Sequence, residues 1–267
     1  MSLRELPSLI AEAREVRADA SLALRAVAMV DLTSLTGDET PEQIEALCDR
    51  AVRHGTAAVC IFAEHVPIAR KRLAGSPVRL ATVANFPHGG EDIALAADET
   101  AAAVAAGADE VDVVAPIAAI AAGDVGLVGE LVEACRAAAG PDTVLKLILE
   151  TGVLRTPDRI TAAARAAVMA GVDFLKTSTG KTEVGATLEA AALLLAVIQD
   201  AQGRVGFKAA GGVRTADEAA GYLHLATTIL GPGWAQPGRF RFGASALLDD
   251  LLRRAGDDDG HAVPGTY

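Results

Sequence analysis

The segment DFLKTSTGK sets Lys176 behind Phe174-Leu175, where it alternates with Phe174 and Ser178 on one face of an extended run. A lysine buried on such a strand is costly unless it sheds its proton or meets a partner. It either snorkels at a strand end or is a desolvated amine, largely neutral near pH ~7 and able to attack a carbonyl. Lys208, in GFKAAGG near the C-terminal end of the next strand, favours the second reading. Adjacent strands lie about 4.8 Å apart, so the two amines can approach, and each cation disfavours protonation of the other. Asp112, in DEVDVVAP, is flanked by valines and needs a lysine or a water as partner. It reads either as a structural ion pair or as a general acid/base serving the amine. Lys146, in LKLILE, is a further strand charge; Glu150 follows four residues later with the same parity, so a structural pair competes with a catalytic role.

A second group of residues suits an anion. Gly211-Gly212-Val213-Arg214 and Gly243-Ala244-Ser245 each follow a strand and open a helix, so backbone N–H groups and the helix dipole can face a phosphate. The turn Ser178-Thr179-Gly180-Lys181 beyond Lys176 adds hydroxyl, N–H and ammonium donors. Cys60, in AAVCIF, is a small buried hydrophobe or a lining residue, and Asp31, at the end of MVDLTSL, either orients substrate or caps a turn. Asn85-Phe86-Pro87-His88-Gly89 reads as a structural loop with rim contacts. The five histidines show no HxxxH or HxH spacing, so no metal site and no cofactor is expected.

These residues need strands and helices in alternation to hold them. Short β-branched runs fall near 26–32, 57–62, 79–84, 109–115, 144–150, 173–178, 204–209 and 240–244, separated by alanine-rich helical stretches. Thr40-Pro41-Glu42-Gln43 is a capping box, followed by an apolar face at Ile44, Leu47, Cys48, Ala51 and Val52. Thr215 with Glu218 repeats the pattern, and Thr156-Pro157 opens another helix. Helices between strands require parallel pairing, and eight such units predict a single (β/α)₈ barrel, with an open doubly wound sheet as the rival. The expected organisation is an N-terminal helical extension at 1–25, the barrel at 26–254 and a mobile tail at 255–267.

Composition narrows the partners. A net charge of −11 argues against nucleic acid and requires any anionic substrate to be caught locally. Hydrophobic residues make up 51%, enough for a large core. No apolar run reaches the ~18 residues of a membrane span. The three cysteines (Cys48, Cys60, Cys135) show no metal or paired spacing, and the N-terminus lacks an apolar signal core, so a soluble cytoplasmic protein with free thiols is expected.

At MVDLTSL, AAVCIF, ATVANFPHG, GADEVDVVAP, LKLILETG, DFLKTSTGK, GFKAAGGVRT and RFGAS, the chain resembles the deoxyribose-phosphate aldolases over residues 26–267. The resemblance implies reversible cleavage of 2-deoxy-D-ribose 5-phosphate to acetaldehyde and D-glyceraldehyde 3-phosphate. It implies that Lys176 forms the Schiff base, that Lys208 perturbs it and that Asp112 transfers protons. The phosphate would fall to Gly180, Lys181, Gly211, Gly212, Gly243 and Ser245, and the C-terminal Tyr267 would assist proton transfer at the enamine carbon. Partners would be a sugar phosphate and small aldehydes, with a homo-oligomer, most simply a dimer. Two departures stand out: Ala209 replaces the proline of the common KPAGG, and Ala246 replaces the second of two serines after FGA, removing a hydroxyl from the phosphate site. The competing readings are another Schiff-base barrel and a silent sugar-phosphate-binding barrel.

Overall fold

Threonine side chains begin the helices as their spacing predicts. Thr40 and Thr215 each form a full capping box, with Gln43 and Glu218 returning the bond to the cap, and Thr156 accepts from the Arg159 N–H. The helix Pro41–His54 buries Ile44, Leu47, Cys48 and Ala51, but Val52, placed on the same face by its spacing, is turned outward.

The computed structural model describes residues 5–257. Eight strands pair in parallel and in chain order: β1 (Val30–Thr33), β2 (Ala58–Cys60), β3 (Arg79–Ala84), β4 (Glu110–Val114), β5 (Val144–Ile148), β6 (Phe174–Lys176), β7 (Gly206–Ala210) and β8 (Phe240–Ala244). β8 pairs back onto β1, with Asp31 beside Gly243, so the sheet closes into a (β/α)₈ barrel and the open-sheet rival is excluded.

Alternation along the strands sorts two interiors. Outward residues such as Val59, Val111, Leu145, Leu175, Phe207 and Phe242 join the main apolar core beneath the helices. Inward positions carry the charges, bordered by a small apolar cluster that includes Ala58, Cys60, Ala81 and Val83. Among the described residues, no helix is long and apolar enough to cross a membrane.

The N-terminal segment holds two helices. Leu6–Glu15 buries Leu6, Leu9, Ile10 and Ala13 and packs against the helices Leu188–Asp200 and Ala216–Leu230. Ala20–Val27 takes residues expected to begin the first strand. Asp19 caps it by accepting from the Leu22 N–H at 2.6 Å, and Ala23, Ala26 and Val27 form its buried stripe. A short apolar run fits either period, and the cap decides for the helix, so β1 starts only at Val30.

Thr215→Ala removes the hydroxyl that accepts the Glu218 N–H at the start of Ala216–Leu230. A loss of about 1 kcal/mol in urea unfolding is expected; no change would show that the cap contributes nothing.

Candidate active site

The strand register puts the predicted residues side by side. Lys176 and Lys208 are direct partners across β6 and β7, and Asp112 partners Lys146 across β4 and β5. All point into the lumen and meet at one carboxylate. Asp112 Oδ2 accepts from Lys176 Nζ at 2.8 Å and from Lys208 Nζ at 2.8 Å, while Oδ1 accepts from Lys146 Nζ at 2.7 Å. Asp31 lies in the same cluster: its Oδ2 is 2.6 Å from Lys208 Nζ, and its Oδ1 accepts from Arg241 at 2.6 Å. Asp31 is therefore a member of the charge network and not a turn cap.

Two members of the network escaped the sequence reading. Glu110 lies 2.6 Å from Lys146 Nζ and takes two hydrogen bonds from Arg241, at 2.9 and 3.2 Å. Both are charges two residues before a residue already singled out, Asp112 on β4 and Gly243 on β8. Parity alone would have placed them on the same inner face. Lys146, by contrast, does not pair with Glu150. The Glu150 carboxylate accepts from Thr179 N at 3.1 Å, from Thr179 Oγ1 and from Thr182 Oγ1 at 3.1 Å. β5 ends at Ile148 and Glu150 has φ +50°, so strand parity no longer applies there. Glu150 instead ties down the loop beyond β6.

Burial and neighbouring charge set the protonation of the lumen. Burial pushes the Lys176 amine below its ordinary range; Asp112 opposes this and the Lys208 cation reinforces it. Burial also acts against a charge on Lys208, but Asp112 and Asp31 outweigh it and hold that amine protonated. Lys146 is likewise raised, by Asp112 and Glu110 against burial. The Asp112 carboxyl is held well below the usual range by Lys146, Lys176 and Lys208 against its own desolvation. Of the three amines, only Lys176 is lowered; Lys146 and Lys208 are raised. The Cys60 thiol is fully buried against this cluster and pushed up, which keeps it uncharged.

Around the charges, the loops at the C-terminal ends of the strands are laced together. Thr177 Oγ1 donates to the Ala210 carbonyl at 3.1 Å and accepts from its N–H at 3.0 Å. Ala186 N donates to Gly211 O at 2.8 Å. Gly211, at φ +83°, sits where an added Cβ would be 3.2 Å from the Cα atoms of Gly180 and Gly185. Gly180 and the exposed Gly212 also have positive φ, and Lys181 is exposed, with its N–H donating to Thr179 Oγ1 at 3.0 Å. Ser245 is half-buried just before the helix Leu247–Ala255. Gly243 has a packing role: a Cβ there would lie 2.9 Å from Lys208 Cε, so its bare backbone leaves room for the lysine stem. Ser178 is fully buried and its Oγ has no hydrogen-bond partner among the described residues. Asn85 is structural, bonding Gly90 and the Val114 carbonyl at 2.9–3.0 Å. Tyr267 lies outside the described residues. Among the described residues, no group of three or more His, Cys, Asp or Glu side chains could hold a metal ion.

A lumen with one amine lowered by burial, charged neighbours and glycine loops at its mouth is suited to carbonyl chemistry on a small substrate. Comparison with known proteins points the same way. The family model described as DeoC/LacD family aldolase matches residues 25–253. The chain belongs to this aldolase family. Among solved structures, a candidate deoxyribose-phosphate aldolase from Coccidioides immitis is 29% identical with TM-score 0.78, covering 95% of this chain and 98% of that one. An aldolase named QR15 is 28% identical with TM-score 0.73, covering 86% and 96%. The tetrameric deoxyribose phosphate aldolase of Aeropyrum pernix, at 22% identity and TM-score 0.71 over 94% and 97%, shares the fold. The lysine–aspartate cluster of the lumen, with the loops at its C-terminal mouth, is the candidate site for the family's chemistry.

Lys146→Met would leave Glu110 and Asp112 short of a buried cation. The expected cost is about 3–5 kcal/mol in denaturant unfolding. A loss below about 1 kcal/mol, within the range of surface pairs, would mean that water replaces the lysine.

Proposed function

We propose that this aldolase is a class I deoxyribose-phosphate aldolase, cleaving 2-deoxy-D-ribose 5-phosphate reversibly to acetaldehyde and D-glyceraldehyde 3-phosphate in deoxyribose phosphate catabolism. The observation that carries it is the Lys176 amine: buried, beside the Lys208 cation, and bonded to the carboxylate oxygen that Lys208 also holds.

The chemistry follows from these neighbours. The neutral Lys176 nitrogen adds to the aldehyde carbon C1 of the open-chain sugar, and a proton reaches the new oxygen to give a carbinolamine. Loss of water then yields the protonated imine. That cation draws the electron pair of the C2–C3 bond as the C3 hydroxyl gives up its proton, releasing glyceraldehyde 3-phosphate and leaving an enamine on Lys176. Protonation at C2 and hydrolysis release acetaldehyde and restore the amine. Asp112, bridging Lys176 and Lys208, is placed to carry protons in the first stage. Asp31 holds Lys208 in place, and Cys60 shapes the wall.

Anion capture falls to the loops. Gly180, Gly211 and Gly212 offer backbone N–H groups, with Thr179, Lys181 and Ser245 around them and the Leu247–Ala255 helix behind. Ala246 contributes no hydroxyl, so the preference for a phosphorylated over an unphosphorylated sugar is expected to be modest for this class of site. A homo-oligomer, most simply a dimer, accompanies this reading. The three buried thiols, none in a disulfide, suit the cytoplasm.

A coupled assay on deoxyribose 5-phosphate and on deoxyribose tests both halves. Turnover of the phosphate ester with a measurable rate on the free sugar is expected; no turnover of either refutes the proposal. Lys176→Leu should lower the rate by on the order of 10⁴-fold or more with the fold intact by circular dichroism. Residual activity near the parent's would move the nucleophile elsewhere. Removing Tyr267 should lower kcat more than it raises KM, as loss of a proton-transfer group would; an unchanged kcat would make the residue a bystander.

A further inference from the structure

Two residues at the floor of the lumen lie below the chemistry and are nonetheless tied to it. Glu110 stands two residues before Asp112 on β4, and Arg241 two before Gly243 on β8, both toward the strand N-termini and both almost fully buried. Arg241 is pinned: its Nε donates to the Pro237 carbonyl, and its guanidinium lies 5.7 Å from the centroid of Phe174, the inward residue beneath Lys176. Neither faces the loops that would receive a substrate.

Their contribution is arithmetic. Among the described residues, the lumen holds four basic side chains (Lys146, Lys176, Lys208, Arg241) and three carboxylates (Asp31, Glu110, Asp112). Arg241, Lys146 and Lys208 each touch two carboxylates within 3 Å: Arg241 has Asp31 and Glu110, Lys146 has Glu110 and Asp112, Lys208 has Asp31 and Asp112. Lys176 touches one, Asp112, at an oxygen that Lys208 also uses. Three cations thus match three anions, and the fourth base is surplus. Other strands leave the count unchanged: β2 brings the uncharged Cys60 thiol, and β3 brings Ala81 and Val83. Glu150, on the β5 side, is taken by Thr179 and Thr182, and Lys181 sits on the exposed loop after β6.

We propose that Arg241 and Glu110 are positioning residues that fix the charge count of the buried lumen, so that three cations balance three carboxylates and Lys176 is the base left neutral. This rests on the Schiff-base reading of Lys176. Arg241 acts through Asp31 and Glu110, whose charges it consumes. Without it, two lysine cations face three carboxylates and Lys176 takes up a proton. Without the Glu110 charge, the cations are in excess and Lys176 holds a proton less readily. Losing both restores balance, two against two.

The test is the pH dependence of imine formation, with acetaldehyde and cyanoborohydride as the probe and the adduct on Lys176 quantified by intact mass and peptide mapping. In Arg241→Met the midpoint should move up by about one pH unit or more, a roughly 10-fold loss of trapping near neutrality that alkali restores. In Glu110→Gln it should move down. Arg241→Lys should hold the parent's midpoint, and the double variant Arg241→Met/Glu110→Gln should return close to it. A purely structural role predicts instead that both single variants lose trapping at every pH and that the double is worse than either. That pattern, or an unmoved midpoint in the single variants, overturns the proposal. Should Arg241→Met fail to fold, Glu110→Gln alone decides, because its acid-ward shift has no structural explanation. Parent protein that gives no adduct at any pH fails at the Schiff-base reading itself; parent adduct with unshifted variants fails only the charge count.

Discussion

The Asp112 carboxylate accepts from three lysines at 2.7–2.8 Å inside a barrel from which solvent is almost wholly excluded. Such an arrangement is a poor way to stabilise a protein. Bringing ions out of water costs several kcal/mol per ion, and well-packed apolar residues of equal volume often do better. The barrel nonetheless devotes inward positions on six strands to the charge network around it and lets the apolar shell beneath the helices supply the folding free energy. Bulky residues fill the outward positions, while Gly206 and Gly243 open the inward ones where Phe174 and the Lys208 stem must fit. The lumen is therefore arranged around a charge pattern, and the packing accommodates it.

On the proposed Schiff-base reading, that pattern lets a lysine act as nucleophile without a dedicated base to deprotonate it. Burial alone would weaken every amine in the lumen, and carboxylates alone would re-protonate every one. The distribution of contacts separates them: Lys146 and Lys208 are each bracketed by two acids, and Lys176 shares one acid with a cation. On the proposed reading, the Asp112 oxygen that bridges Lys176 and Lys208 offers a proton a short path between the two amines, so that activation and proton transfer draw on one shared contact.

Much of this was legible because strands have a strict period. Lys176 and Lys208 could be read as neighbours from position alone, and the register makes them direct partners. The (β/α)₈ architecture followed from the alternation of runs and caps. Legibility failed where the period stopped or competed. Glu150 shares the parity of Lys146, but the chain leaves the strand at Ile148, and its partners come from a loop some 29–32 residues later. The stretch before Val30 satisfies both periods, and Asp19, a single capping side chain outside the run, decides it. Glu110 and Arg241 were in plain view within recognisable segments. Their importance is a property of the sum of charges in a closed space, which no single strand displays.

The axis of the barrel then divides the labour. Toward the strand N-termini, Arg241 lies over Phe174 and is paired with Glu110 by two hydrogen bonds. In the middle lie the amines and Asp112. At the C-terminal mouth the backbone takes over: positive-φ glycines, a threonine stitch between β6 and β7, and a loop moored by Glu150 to Thr179 and Thr182. Side-chain charge at the mouth is kept to the exposed loop, where Lys181 lies, because cations deeper in would add to the field on Lys176 and would draw the lumen carboxylates. Backbone dipoles hold an anion with little net charge of their own. The molecule's overall excess of acid is compatible with this proposed mode of capture, in which an anionic substrate is held by local geometry and not drawn in by a global field. On the proposed reading, a largely dipolar anion grip at the mouth, away from the buried cluster, leaves the charge balance around Lys176 to the lumen residues alone.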